Sequence, residues 1–170
     1  MKSKLFRTGL VLTAVALVAA LSFAQGGKAP QPAAKPAHTI VSTDSLKWNP
    51  IIPGAELAVV SGDPDKTGGQ FVLRIRVKNG TKIPAHWHPT DEHVTVLKGT
   101  LLVGMGEKYD EKALQAVSTG SYISIPKQMR HFANAKGDSM MQVHGASPFK
   151  VNWVNPAEVP AMPGKAPAKK

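Results

Sequence analysis

Through the middle of the chain, apolar and polar residues alternate in short runs. In QFVLRIRVK, Phe71, Leu73, Ile75 and Val77 fall on one face while Arg74, Arg76 and Lys78 fall on the other, the pattern of a half-buried strand. Comparable runs are ELAVV (Glu56 to Val60), EHVTVL (Glu92 to Leu97), TLLVGM (Thr100 to Met105), SYISI (Ser121 to Ile125), SMMQVHG (Ser139 to Gly145) and FKVNWV (Phe149 to Val154). Turn-forming stretches GDPDKTGG, KNGT, KG, STG, AKGD and ASP lie between them, rich in the residues that break strands. YDEKALQAV, from Tyr109, predicts one short helix. Many short strands joined by turns predict an all-β sandwich or barrel, and jelly-roll closure is one way to protect the strand edges.

Two compositional shifts bound this body. Residues 25–38 and 156–170 are dominated by Pro, Ala, Gly and Lys and offer too little apolar surface to offset the entropy of ordering, so both are expected as flexible ends. Residues 39–155 between them suffice for one domain with a sizeable core. Ahead of the first flexible segment, Lys2, Lys4 and Arg7 precede an apolar stretch from Gly9 to Leu21, followed by Ser22, Phe23 and Ala24. This predicts a secretory signal peptide over residues 1–24, cleaved after Ala24, and a periplasmic or secreted product. The rival reading, an uncleaved anchor, meets an apolar stretch shorter than the ~20 residues that span a bilayer. The sequence contains no cysteine, which excludes disulfides and a lipid anchor on cysteine.

The net charge of +10 changes the picture less than it promises. Between His38 and Pro160 there are 13 basic and 11 acidic residues, so the excess sits in the two ends. A nearly neutral body gives no electrostatic footprint for nucleic acid.

The chemistry concentrates in HWHPTDEHVTVLKG, from His86 to Gly99. On a strand His86 and His88 point to the same face; two imidazoles so placed can share one ion, and the same spacing also fits a pair of surface histidines. Glu92 has Val94 and Val96 as its parity neighbours, so it lies on an inward apolar face, where a carboxylate needs a partner such as a metal. No nucleophile elbow, phosphate loop or Ser/His/Asp arrangement appears.

The stretch from Gly80 to Gly99 resembles the first motif of the cupin superfamily at Gly80, His86, His88, Glu92 and Gly99. The stretch from Gly120 is similar to the second cupin motif through Gly120, Pro126 and His131, with two departures: Gln128 stands where glycine is expected, and Asn134 comes one residue early. The resemblance implies a double-stranded β-helix barrel in which His86, His88, Glu92 and His131 coordinate one divalent metal. Three imidazoles and a carboxylate suit Mn, Fe, Ni, Cu or Zn, and affinity order does not choose among them.

Other residues read less sharply. Alternation aims His93 away from Glu92. His144 is a candidate catalytic acid/base if Met140, Gln142 and His144 share the lumen face, and is not if Met141 and Val143 face inward; the sequence fits either. Tyr122 and Trp153 read as core or interface aromatics, and Arg130 as pointing out. The leading functional expectation is a metal-dependent, dioxygenase-like enzyme acting on a small molecule. Its alternative is a non-catalytic module that binds metal or a small ligand, favoured if the lumen proves narrow and apolar. The expected partner is a small molecule, with no nucleic acid and no stable membrane anchor, leaving room for a homodimer.

Overall fold

The computed structural model describes residues 37–162, so the expected signal peptide and nearly all of the linker lie outside the described residues. Nine strands follow in chain order: β1 (Asn49–Ile52), β2 (Ala55–Gly62), β3 (Gln70–Val77), β4 (Lys82–Trp87), β5 (Glu92–Met105), β6 (Gln115–Ser118), β7 (Tyr122–Ile125), β8 (His131–Ala146) and β9 (Asn152–Trp153). All of their pairings are antiparallel, and the curled sheet they form is a jelly-roll barrel. Among the described residues, no helix is long and apolar enough to cross a membrane.

The two longest strands form the spine. β5 and β8 pair from His93↔His144 at one end to Met105↔His131 at the other. Along the same β8, residues 139–146 pair with β3 and residues 131–134 pair with β4. β8 thereby ties the outer layers of the sheet to the strand that carries Glu92.

The two predicted strands EHVTVL and TLLVGM are one. The expected turn at Lys98-Gly99 is instead an irregularity within β5, where the register to β8 shifts between Val96 and Thr100. Gly99 has φ +74°, and a Cβ there would lie 2.5 Å from Ser139 Oγ and 2.8 Å from Asp138 O. Only glycine fits so close a backbone crossing.

The predicted helix at YDEKALQAV is also corrected. Glu111–Ala113 form a single 3₁₀ turn, started by the Asp110 side chain accepting from Lys112 N–H at 2.9 Å. The chain then enters β6, whose pairing with Thr100–Val103 of β5 takes the residues that would have continued a helix. Tertiary pairing overrides a weak local helical preference here. FKVNWV contributes only the two residues of β9, set against His86 and Trp87 of β4. Beyond residue 155, Pro156–Glu158 form another 3₁₀ turn and Val159 packs on the core.

Alternation places the core as expected. Phe71, Leu73 and Val77 of β3, Val94, Val96, Leu101 and Val103 of β5, and Ala133, Ala135, Met141 and Val143 of β8 are buried together. Phe149 closes the cluster, its ring centroid 4.6 Å from that of Phe71.

Candidate metal centre

Four of the buried polar residues line one cavity with this apolar interior. His86 ends β4 opposite His131, which opens β8; His88 follows β4 directly, and Glu92 opens β5. All four are under 9% exposed, so the protein has removed a carboxylate and three imidazoles from water together. That arrangement is costly unless the groups satisfy one another or a bound ion.

The hydrogen bonds of the three rings show which nitrogens remain. Nδ1 of His86 lies 2.8 Å from Pro84 O, Nδ1 of His88 2.8 Å from Lys150 O, and Nδ1 of His131 3.0 Å from Met129 O. A carbonyl oxygen only accepts, so each Nδ1 is the protonated, donating nitrogen and each neutral ring keeps its lone pair on Nε2. His131 Nε2 lies 3.3 Å and His88 Nε2 3.5 Å from Glu92 Oε2. The three histidines each offer a ligand atom within 4.8 Å of the others. Such separations suit donors that each sit about 2 Å from a shared ion.

His88 Nε2 is buried with no hydrogen-bond partner among the described residues. A buried acceptor with no partner is costly, and a metal ion would satisfy it. The donor set therefore fits a divalent transition metal, held by three Nε2 lone pairs with Glu92 beside them.

Electrostatics favour the protonation states that ligation needs. Burial, then the neighbouring His131 and His88, hold His86 down to about 3 against the opposing pull of the Pro84 carbonyl and Glu92. Burial likewise lowers His88, although Glu92 and the Lys150 carbonyl oppose it. For Glu92 burial acts upward, but a hydrogen bond from His131 when that ring carries its second proton, together with the charges of the histidines, holds the carboxyl below its ordinary range. Near neutral pH the outcome is neutral rings at His86 and His88 beside an anionic oxygen.

The site opens into a lumen of ≈ 100 Å³ whose remaining walls are apolar, among them Leu57, Ile75, Val94, Val103, Met141 and Val143. Beyond the four candidate ligands, no titratable side chain among the described residues lines it. His144 is not there. Met141 and Val143 face inward, which sends His144 to the outer face, where its ring lies against that of His93. The structure thus resolves the open parity of β8 against a catalytic role for His144 in the lumen. His93 points outward as expected, and its Nδ1 lies 2.6 Å from Tyr122 Oη. Trp153 packs on His86 at 5.4 Å and lines the cavity, whereas Tyr122 is largely exposed. Arg130 is exposed and donates to Gln128 O.

Sequence reasoning missed Phe149, whose ring stacks on His88 with centroids 4.1 Å apart and planes inclined 18°. It missed the three carbonyls as well. For His86 and His131 the acceptor lies two residues upstream, a local relationship that spacing could have suggested; Lys150 is 62 positions from His88 and carries no such signal.

Fold and site together define a cupin with a candidate His₃Glu centre. Residues 36–150 match the sequence family described as the ChrR Cupin-like domain, and the chain belongs to that family. None of the curated proteins compared with the chain matches it. Among solved structures it is similar to the polyketide cyclase RemF from Streptomyces resistomycificus, at 20% identity over 73% of this chain and 90% of that one, with a TM-score of 0.59. It is also similar to KdgF from Halomonas sp., at 17% identity over 65% of this chain and 96% of that one, TM-score 0.52. A third similarity is to salicylate 1,2-dioxygenase from Pseudoaminobacter salicylatoxidans with gentisate adducts, at 13% identity over 61% of this chain and 30% of that one, TM-score 0.50. At these identities the likeness is one of fold.

Proposed function

We propose that this chain holds one divalent first-row metal ion through His86, His88, His131 and Glu92 and presents it to a small, largely apolar molecule inside the barrel. The observation that carries the reading is the pairing of three clustered histidines and the adjacent Glu92 with a lumen to which the described residues bring no other titratable group. Four protein ligands leave a six-coordinate ion two positions. When bound, such an ion supplies Lewis acidity and, if redox-active, electron transfer at those positions. The chain's own residues hold the donors, orient them through the three carbonyls, and surround them with apolar walls.

The narrow apolar lumen favours a binding role, sensing or sequestration, over reactions in which the protein must move a proton. Isomerisation or elimination of that kind needs a positioned acid or base, and with His144 on the outer face the described residues supply the lumen with none beyond the four candidate ligands. An oxidative, dioxygenase-like activity is the second reading. Dioxygen is itself small and apolar, and activation at two open metal positions asks no acid or base of the protein. Lys2, Lys4 and Arg7 ahead of the Gly9 to Leu21 apolar stretch support secretion to the periplasm or beyond.

One set of preparations tests both readings. Metal content, oxygen consumption and ligand binding are measured on wild type and Glu92→Ala with a panel of phenolic and small-acid compounds. Full metal loading with reversible binding and no turnover supports the binding module; metal-dependent oxygen uptake that Glu92→Ala abolishes supports the oxygenase. Absence of bound metal in the wild type overturns both.

A further inference from the structure

On the outer face of the sheet, His93 of β5 and His144 of β8 are register partners. Their rings stack with centroids 5.1 Å apart and planes inclined 24°. Their strand neighbours Glu92, Val94 and Val143 line the lumen, so the two histidines are separated from the inner site by the sheet itself. They open into a surface pocket of ≈ 580 Å³ that also includes Gln142, Gln70 and Ser61.

Two features distinguish this pair from solvated surface histidines. His144 Nδ1 is buried with no hydrogen-bond partner, a state that a ligand would relieve. Because none of the described residues hydrogen-bonds to the His144 ring, neither tautomer is imposed and either nitrogen can offer a lone pair. His93 Nδ1 lies 2.6 Å from Tyr122 Oη, and a phenol oxygen can accept that N–H. His93 Nε2 then keeps its lone pair, the same arrangement that the three carbonyls impose on the inner histidines. Both side chains are only partly buried and both line the pocket, so an ion can reach them from solvent.

We propose that His93 and His144 form a second divalent metal site, on the outside of the barrel and independent of the lumen. Imidazole ligation selects Zn(II), Ni(II) or Cu(II). The absence of any carboxylate from the pocket lining selects against the hard ions Mg(II) and Ca(II). Two protein ligands leave the remaining positions to water, so this site binds more weakly than one built from four.

The test is a calorimetric titration of untagged, chelator-stripped protein with Zn(II), and with Mg(II) as the hard-ion control. Wild type is expected to show two classes of Zn(II) site, each near one equivalent, and no Mg(II) uptake at the outer site. The H93Q/H144Q double variant should lose only the weaker class, and H131A only the tighter. If the double variant does not fold by circular dichroism, the single variants H93Q and H144Q replace it, each expected to weaken the outer class at least tenfold. A single class in wild type that H131A abolishes overturns the proposal, as do two classes that persist in the double variant. A single class that survives H131A and disappears in the double variant supports the outer site while overturning the lumen reading.

Discussion

His86 and His131 are register partners across the β4–β8 ladder, their ring centroids 4.2 Å apart. Backbone pairing, rather than any contact between the side chains, sets the spacing of these two candidate ligands. The remaining two arrive from the short connection that follows β4: His88 one residue beyond the strand, and Glu92 where the chain turns back as β5.

Replacing His131 or His88 with alanine should reduce affinity for a transition metal at the lumen site by at least tenfold. Each change removes a donor from a set whose geometry the sheet fixes. His144→Gln should leave lumen affinity unchanged, because that ring lies on the opposite face. Competition with a chromogenic chelator reads both; equal losses at His131 and His144 would contradict the site as drawn.

Metal should stabilise the fold by mass action, since the four donors are brought together only in the folded barrel. At a free concentration of about a hundred times the dissociation constant, the gain is ~2.7 kcal/mol. Thermal unfolding with and without chelator measures it. A melting temperature indifferent to chelator would mean that the ion is bound elsewhere or equally by the unfolded chain.

The metal-free protein should lose stability as pH falls from about 6.5. His86 is held at about 3 when folded and regains its ordinary value when unfolded, so between these limits the unfolded chain binds a proton that the folded one does not. His88 is shifted the same way. Glu92 adds to the trend at lower pH, because a carboxyl held low in the folded state loses its contribution as pH drops toward that value. The slope from His86 alone is on the order of 1 kcal/mol per pH unit. Urea denaturation of chelated protein at pH 5 and pH 7.5 checks this; equal or greater stability at pH 5 would contradict it.

Most of the barrel was legible because its strands are half-buried, and a half-buried strand writes its inner face into every second residue. Phe71, Leu73 and Val77 were placed that way. In SMMQVHG the rule failed to decide, because methionine, glutamine and histidine on one parity compete with methionine and valine on the other, and only pairing to β3 and β5 fixes the choice. YDEKALQAV misled for a related reason: its local preference is weak, and an open edge of β5 was available to pair with its second half. The lumen's volume was invisible, since it depends on how far the inward side chains reach across the barrel.

The second motif's departure has a structural reading. Gln128 occupies a left-handed conformation, φ +63°, where glycine was expected, and its N–H donates to His88 O at 2.8 Å. The chain keeps the turn geometry beside the site while accepting the strain that a side chain brings there. Gly99 and Gly120 offer a sharper test of the same physics. Both have positive φ, but a Cβ at Gly120 meets nothing within 4 Å, whereas at Gly99 it meets Ser139 and Asp138. Gly120→Ala should cost about 1 kcal/mol and Gly99→Ala about 2 kcal/mol or more, the difference arising from the crossing of β5 and β8. Chemical denaturation of both variants measures the difference, and equal losses would contradict it.

The central claim is that one ion sits among His86, His88, Glu92 and His131, and anomalous diffraction from crystals grown with one equivalent of Zn(II) or Ni(II) tests it most directly. A peak is expected inside the barrel within about 2.0–2.2 Å of the three Nε2 atoms and a Glu92 carboxylate oxygen. An empty lumen with the anomalous signal elsewhere on the molecule would contradict it.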